Sequence, residues 1–130
     1  MEILVDASAI MAVIAEEPNK EKVINLTKNS IIFSPNMVSY EIANGLTNMM
    51  KKKIIDKENM INLYKYFKKI KIKFIEIDIE KALELAWEYN IYAYDACYLE
   101  SAKRLNLPLL TFDAVMQNTG RAIGINVLGG

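Results

Sequence analysis

YDACYLESAKRLNLPLLTFD, residues 94–113, reads as an amphipathic helix opened by Asp95, a short apolar strand at Leu109, Leu110 and Thr111, and a second carboxylate, Asp113. In a parallel α/β fold the C-terminal end of a strand and the N-terminal end of a helix can share one edge of the sheet. Asp95 and Asp113, distant in sequence, can then converge. The N-terminus repeats the arrangement, with strand Ile3-Leu4-Val5, then Asp6, then a helix from about Ala7. Converging carboxylates suit a hard divalent cation, so the residues point to a metal-dependent site.

The same alternation extends along the chain. A strand at 2–5 precedes a helix near 7–16, and Pro18-Asn19 separates it from a second helix reaching about Lys28. After a strand near 31–33, Ser34-Pro35-Asn36 opens a helix to about Lys51, with Val38, Ile42, Leu46 and Met49 on one side. Residues 53–56 form a turn before a helix through about Ile70 that carries Ile61, Tyr64 and Phe67. Residues 72–77 alternate as a strand, and Asp78 caps a helix containing Ala82, Leu85, Ala86 and Tyr89. A short helix from Asp113 and a strand at 125–128 follow the decisive stretch. Crossover-length connections between strands predict a parallel sheet of about five strands with helices on both faces. At 130 residues, one domain spanning 1–130 is expected.

Composition narrows the chemistry. A hydrophobic fraction of 52% with 25% charged residues predicts a folded globule. No apolar run approaches the roughly 18–20 residues of a membrane span, and no basic, cleavable leader opens the chain, so a cytoplasmic protein is expected. A lone cysteine, Cys97, excludes an internal disulfide and a cysteine zinc cage; its helical setting reads as a small buried apolar residue. There is no histidine. That removes Ser-His-Asp and Cys-His hydrolysis, histidine-based RNA cleavage and His-ligated zinc. Net charge is zero, yet residues 51–73 hold nine lysines against Asp56 and Glu58, leaving an acidic remainder. The segment reads either as a solvated helix face or as a phosphate-contacting stripe.

Each candidate acid has a plain structural reading. Asp6, Asp95 and Asp113 stand where aspartate caps a helix, worth about 1 kcal/mol, and Asp78 is assigned only that role. Glu41 lies inside a helix at the margin of its apolar stripe, where capping cannot account for it. Clustering is costly: two unit charges at about 4 Å repel by about 4 kcal/mol at an effective dielectric of 20. Four converging carboxylates therefore call for a cation or for raised pKa values.

These residues carry a family resemblance. VDASA at 5–9, YE at 40–41, the long block at 94–113 and GINVL at 124–128 resemble the PIN-domain nucleases, most closely the toxins of the VapBC type. The likeness covers nearly the whole chain. It implies a three-layer α/β/α sandwich and hydrolysis of the RNA backbone with Mg²⁺ or Mn²⁺. Asp6, Glu41, Asp95 and Asp113 match the family's acidic positions. Asp6 and Asp95 are then the primary metal ligands; Asp113 completes that site or helps form a second, and Glu41 ligates through water or orients the nucleophile. Ser8 and Thr111 match its hydroxyl positions, as hydrogen-bond partners of the ligands. The resemblance also implies a homodimer and a small antitoxin covering the active-site groove. Met49, Met50, Tyr64, Tyr66 and Phe67 supply apolar bulk suited to such a partner.

Other readings compete. A phosphoaspartate phosphatase wants a second aspartate two residues after Asp6, where Ser8 stands. A phosphoreceiver wants an acidic pair and a late lysine that are missing. A housekeeping RNA-processing nuclease and a non-catalytic RNA- or protein-binding module of the same family remain alternatives. The short chain without an appended RNA-binding module favours the toxin.

Overall fold

Strand β1 (Glu2–Val5) lies at the centre of the sheet because Ile3, Leu4 and Val5 are all apolar and all buried, as a strand covered on both faces requires. In the computed structural model, which describes all 130 residues, five parallel strands stand in the order β3-β2-β1-β4-β5. The other strands are β2 (Ile31–Pro35), β3 (Ile72–Ile75), β4 (Leu109–Leu110) and β5 (Val127–Leu128). The helices are α1 (Ala7–Ile14), α2 (Lys20–Thr27), α3 (Val38–Lys51), α4 (Lys57–Lys69), α5 (Ile79–Tyr89), α6 (Ala93–Leu105) and α7 (Ala114–Ala122).

Topology sorts the helices into layers. The chain runs from β1 to β2 to β3 toward one edge, then crosses back to β4 and β5 toward the other. Right-handed crossovers place helices on opposite faces when the direction reverses. Accordingly, α1 to α4 pack among themselves, while α6 packs on β2 and β4 and against α5 and α7. The expected α/β/α sandwich with five parallel strands is the observed one. The reversal falls between β1 and β4, and the crevice outside the carboxyl ends of such strands is where open sheets bind ligands.

Several boundaries differ from the sequence expectation, each for a pairing reason. Ser34 and Pro35 continue β2 by pairing with Phe74 and Ile75, so α3 starts at Val38 and not at residue 36. β3 ends at Ile75 because Pro35 is its last partner. β4 holds only the two residues that pair with Leu4 and Val5, which leaves Thr111 beyond the strand. Helix α6 starts at Ala93 with Tyr92 as its cap, so Asp95 lies in the first turn and is not a cap. Asn90 and Asn106 end α5 and α6 at φ 53°, a left-handed conformation that asparagine tolerates well.

Helix α6 is the most buried helix, with Ala96, Cys97, Tyr98, Leu99 and Ala102 all inside. Cys97 is packed as the small apolar residue expected. Ser101 is fully buried and its hydroxyl has no hydrogen-bond partner. Ser101→Ala removes that unpaired group and improves helix propensity, so it is expected to stabilise the fold by about 1 kcal/mol. Chemical denaturation checks this; a loss of stability would mean the hydroxyl has a partner in solution.

Candidate active site

Asp6 leaves β1 with extended backbone and its side chain turns back into the protein, where it is 1% exposed. Oδ1 caps α1 by accepting the Ala9 N–H at 3.0 Å and also accepts the Ser8 hydroxyl at 2.7 Å. Oδ2 accepts the Thr111 hydroxyl at 2.6 Å from across the β1/β4 boundary. The two hydroxyls act in both directions. Thr111 Oγ1 accepts the Asp113 N–H at 3.0 Å, and Ser8 Oγ accepts the Phe112 N–H at 3.1 Å. One buried carboxylate therefore organises the end of β1 and the turn after β4.

The other acids arrive from helix starts at this same edge. Asp113 caps α7 through the Met116 N–H at 2.9 Å. Glu41 is in the first turn of α3, half-buried, and its Oε1 accepts the Tyr98 hydroxyl at 2.6 Å. Tyr98 was not singled out from sequence. Its signal was the i, i+3 spacing from Asp95, which puts both on one face of α6. Buried beside Glu41, the Tyr98 phenol is held far above its ordinary pKa and keeps its proton to donate. Asp95 is half-buried, and no hydrogen bond from the protein engages its carboxylate.

Electrostatics binds the four acids into one system. Burial raises Asp6 most, against the pull of its Thr111, Ser8 and Ala9 hydrogen bonds, and Asp113 adds repulsion. Burial also raises Glu41, opposed by Tyr98 and reinforced by Asp6 and Asp95. Asp95 is raised by burial, then by Asp113 and Asp6. No lysine or arginine relieves them, because the two ion pairs of the chain are Lys20–Glu16 and Arg104–Glu100. An all-oxygen donor set with uncompensated negative charge fits a hard divalent cation. As they stand, no three of the groups form a closed cation cage. Asp6 is spoken for by three donors and Glu41 by one, so a cation would have to draw the side chains inward.

Ser8 and Phe112 also border an adjacent groove of about 360 Å³, walled by Met11, Gly45, Asn48 and Met49. Of the apolar residues assigned to a partner surface, Phe67 is instead in the core, with Tyr64 half-buried at 5.5 Å between ring centroids. Met50 and Tyr66 are exposed, and Met49 is half-buried in the groove wall. All nine lysines between residues 51 and 73 are exposed, and none is in an ion pair. No helix is long and apolar enough to cross a membrane.

Residues 3–122 match the PIN domain family. Ribonuclease VapC3 of Pyrobaculum aerophilum is 27% identical over 118 residues, covering 87% of this chain and 90% of the relative. Ribonuclease VapC9 of Mycobacterium tuberculosis is 27% identical over 122 residues, covering 92% of each. Among solved structures, PAE2754 from Pyrobaculum aerophilum superposes with a TM-score of 0.72 at 27% identity, over 92% of this chain and 79% of that one. VapBC2 from Rickettsia felis, bound to a DNA fragment from its promoter, shares the fold with a TM-score of 0.67 at 16% identity, over 98% of each chain.

The raised carboxylates make a signed prediction. A carboxylate whose folded pKa exceeds its unfolded one costs stability when ionised. The cost is full above the folded pKa and vanishes below the unfolded value, near 3.8 for Asp95. Without divalent cations, Asp95→Asn is therefore expected to melt higher than the wild type at neutral pH. The gap should narrow as pH falls toward the ordinary aspartate range. Melting curves over a pH series measure this, and a gap that widened on acidification would contradict the crowding of these acids.

Proposed function

The chain belongs to the PIN-domain family, and on that premise we propose that it is an endoribonuclease dependent on Mg²⁺ or Mn²⁺, the toxin of a type II toxin–antitoxin pair. The observation that carries this reading is the gathering of four electrostatically coupled carboxylates, unpaired with any cationic side chain, at the carboxyl edge of the sheet. Relatives named as VapC ribonucleases support the activity.

Asp6 and Asp95 are the primary metal ligands in this proposal, with Asp113 completing the site and Glu41 ligating or orienting the attacking water. When bound, the cation supplies neutralisation of phosphate charge and a more acidic water. Every other contribution comes from the chain. Thr111 and Ser8 hold Asp6 in one orientation by hydrogen bonds to its two oxygens. Tyr98 aims Glu41, and the α7 cap fixes Asp113. Asp95, free of protein donors, is the group able to swing onto the ion. The unpaired lysines add sequence-independent attraction for the RNA backbone, so binding should weaken steeply with salt.

An antitoxin partner is part of the proposal, supported by solved neighbours that are toxin–antitoxin complexes. It would cover the groove beside Ser8 and Met49. A homodimer is also proposed. Ile79, Leu83 and Trp87 stand on successive turns of α5 and are uncovered, Trp87 to 91%, apolar area of the kind a second copy buries. A housekeeping RNA-processing nuclease is the alternative within the family, and an adjacent small antitoxin gene separates the two.

Purified wild type should cut mixed RNA with Mg²⁺ or Mn²⁺ and stop in EDTA. Asp95→Asn should lose activity about a hundredfold or more, since metal stabilisation of the transition state is worth several kcal/mol. Cutting that persists in EDTA, or in the variant, would overturn the mechanism. Mg²⁺ at about a hundred times its Kd should stabilise the wild type by about 2.7 kcal/mol and Asp95→Asn far less. Equal thermal shifts would remove Asp95 from the ligand set.

A further inference from the structure

Three tyrosines stand around the carboxylate site without being covered by the fold. Tyr40 is 77% exposed, Tyr92 86% and Tyr94 56%. Tyr40 immediately precedes Glu41 in the first turn of α3. Tyr94 immediately precedes Asp95 in the first turn of α6, and Tyr92 is the residue that caps that helix. The 2.6 Å bond from Tyr98 to Glu41 joins these two helix starts. Rings from two different elements therefore meet at one place, each set in the chain beside an acid of the site.

The placement has a geometric consequence. Neighbouring Cα atoms are about 3.8 Å apart, and successive helical side chains point in different directions. Glu41 and Asp95 turn toward Asp6, as their mutual repulsion shows. The adjacent tyrosines are left outward, on the rim. Tyr98, of the same residue type and on the same helix, is 1% exposed and hydrogen-bonded, so the exposure of the other three is positional. Three large aromatic side chains left in water at one spot forgo burial that the core would reward.

We propose that Tyr40, Tyr92 and Tyr94 form a base-stacking rim that takes the unpaired bases flanking the scissile phosphate, making the substrate single-stranded or looped RNA. The inference rests on the ribonuclease reading and names its substrate class. A phosphate held among the carboxylates has one base on either side; α3 offers a ring to one and α6 offers rings to the other. An exposed ring can stack only on a base that has left its own stack, which duplex RNA does not offer. The lysines of residues 51–73 attract phosphates of either form and supply no such discrimination.

The test separates stacking from catalysis by measuring binding without turnover. In the Asp95→Asn background, anisotropy with a labelled random-sequence RNA pool, single-stranded or as blunt duplex, is measured for Tyr40→Ala, Tyr92→Ala, Tyr94→Ala and the three Tyr→Phe counterparts. Each alanine variant is expected to weaken single-strand binding about fivefold or more. Each phenylalanine variant should keep it, and duplex binding should not change. Because the three side chains are exposed, circular dichroism should show an unaltered fold. Equal loss for single strand and duplex, failure of phenylalanine to restore binding, or alanine variants that bind as before would each overturn the rim. Unchanged RNA binding together with lost binding of a co-purifying protein partner would also overturn it and give the rim to that protein. A wild type that binds single strands through these rings yet cuts nothing would defeat the nuclease reading alone.

Discussion

The structure depends on one buried charge. Asp6 is almost completely removed from water at the end of the central strand, a position that would be prohibitive for an unpaired carboxylate. Three donors, the Thr111 and Ser8 hydroxyls and the Ala9 N–H, make it tenable. In satisfying Asp6 they also fasten β1 to the turn after β4, which is where the chain reverses direction in the sheet. The fold's topological seam and its candidate active site are thus held by the same hydrogen bonds.

Around that anchor the protein accumulates negative charge that its fold alone does not need. Asp6 and Asp113 cap helices, but Glu41 and Asp95 do no capping and add repulsion. The nearest relief is the Tyr98 hydroxyl, a neutral donor. A site tuned to be satisfied by an incoming cation is necessarily strained without one, which is the familiar opposition of stability and function. The division of labour among the acids follows from their partners: Asp6 is rigid, Asp113 and Glu41 are each restrained by one donor, and Asp95 is the mobile member.

Legibility from sequence varied with the range of the interaction. The alternation of apolar strands and amphipathic helices located every element, and the four acids of the site were all identified as candidates. The errors came from effects that local pattern does not carry. Asp95 was read as a cap because aspartate favours that position, whereas the helix begins two residues earlier at Ala93. Ser34 and Pro35 looked like a helix opening, but pairing with Phe74 and Ile75 holds them in β2. Phe67 was taken for partner surface and proved to be core, since the face of α4 that packs on α3 is chosen by the neighbour. Tyr98 was overlooked because its partner is 57 residues away.

By itself, the sequence determined the fold class, the parallel sheet, the absence of histidine chemistry and the identity of the acids, because these depend on residue type and short-range periodicity. Tertiary structure alone decided that Asp6 would be buried and Asp95 left without a donor, that Tyr98 would meet Glu41, and that Tyr40, Tyr92 and Tyr94 would stay uncovered at the same edge. Those facts require residues from four separate elements to meet, and their meeting is set by strand order and crossover handedness. No local spacing encodes it.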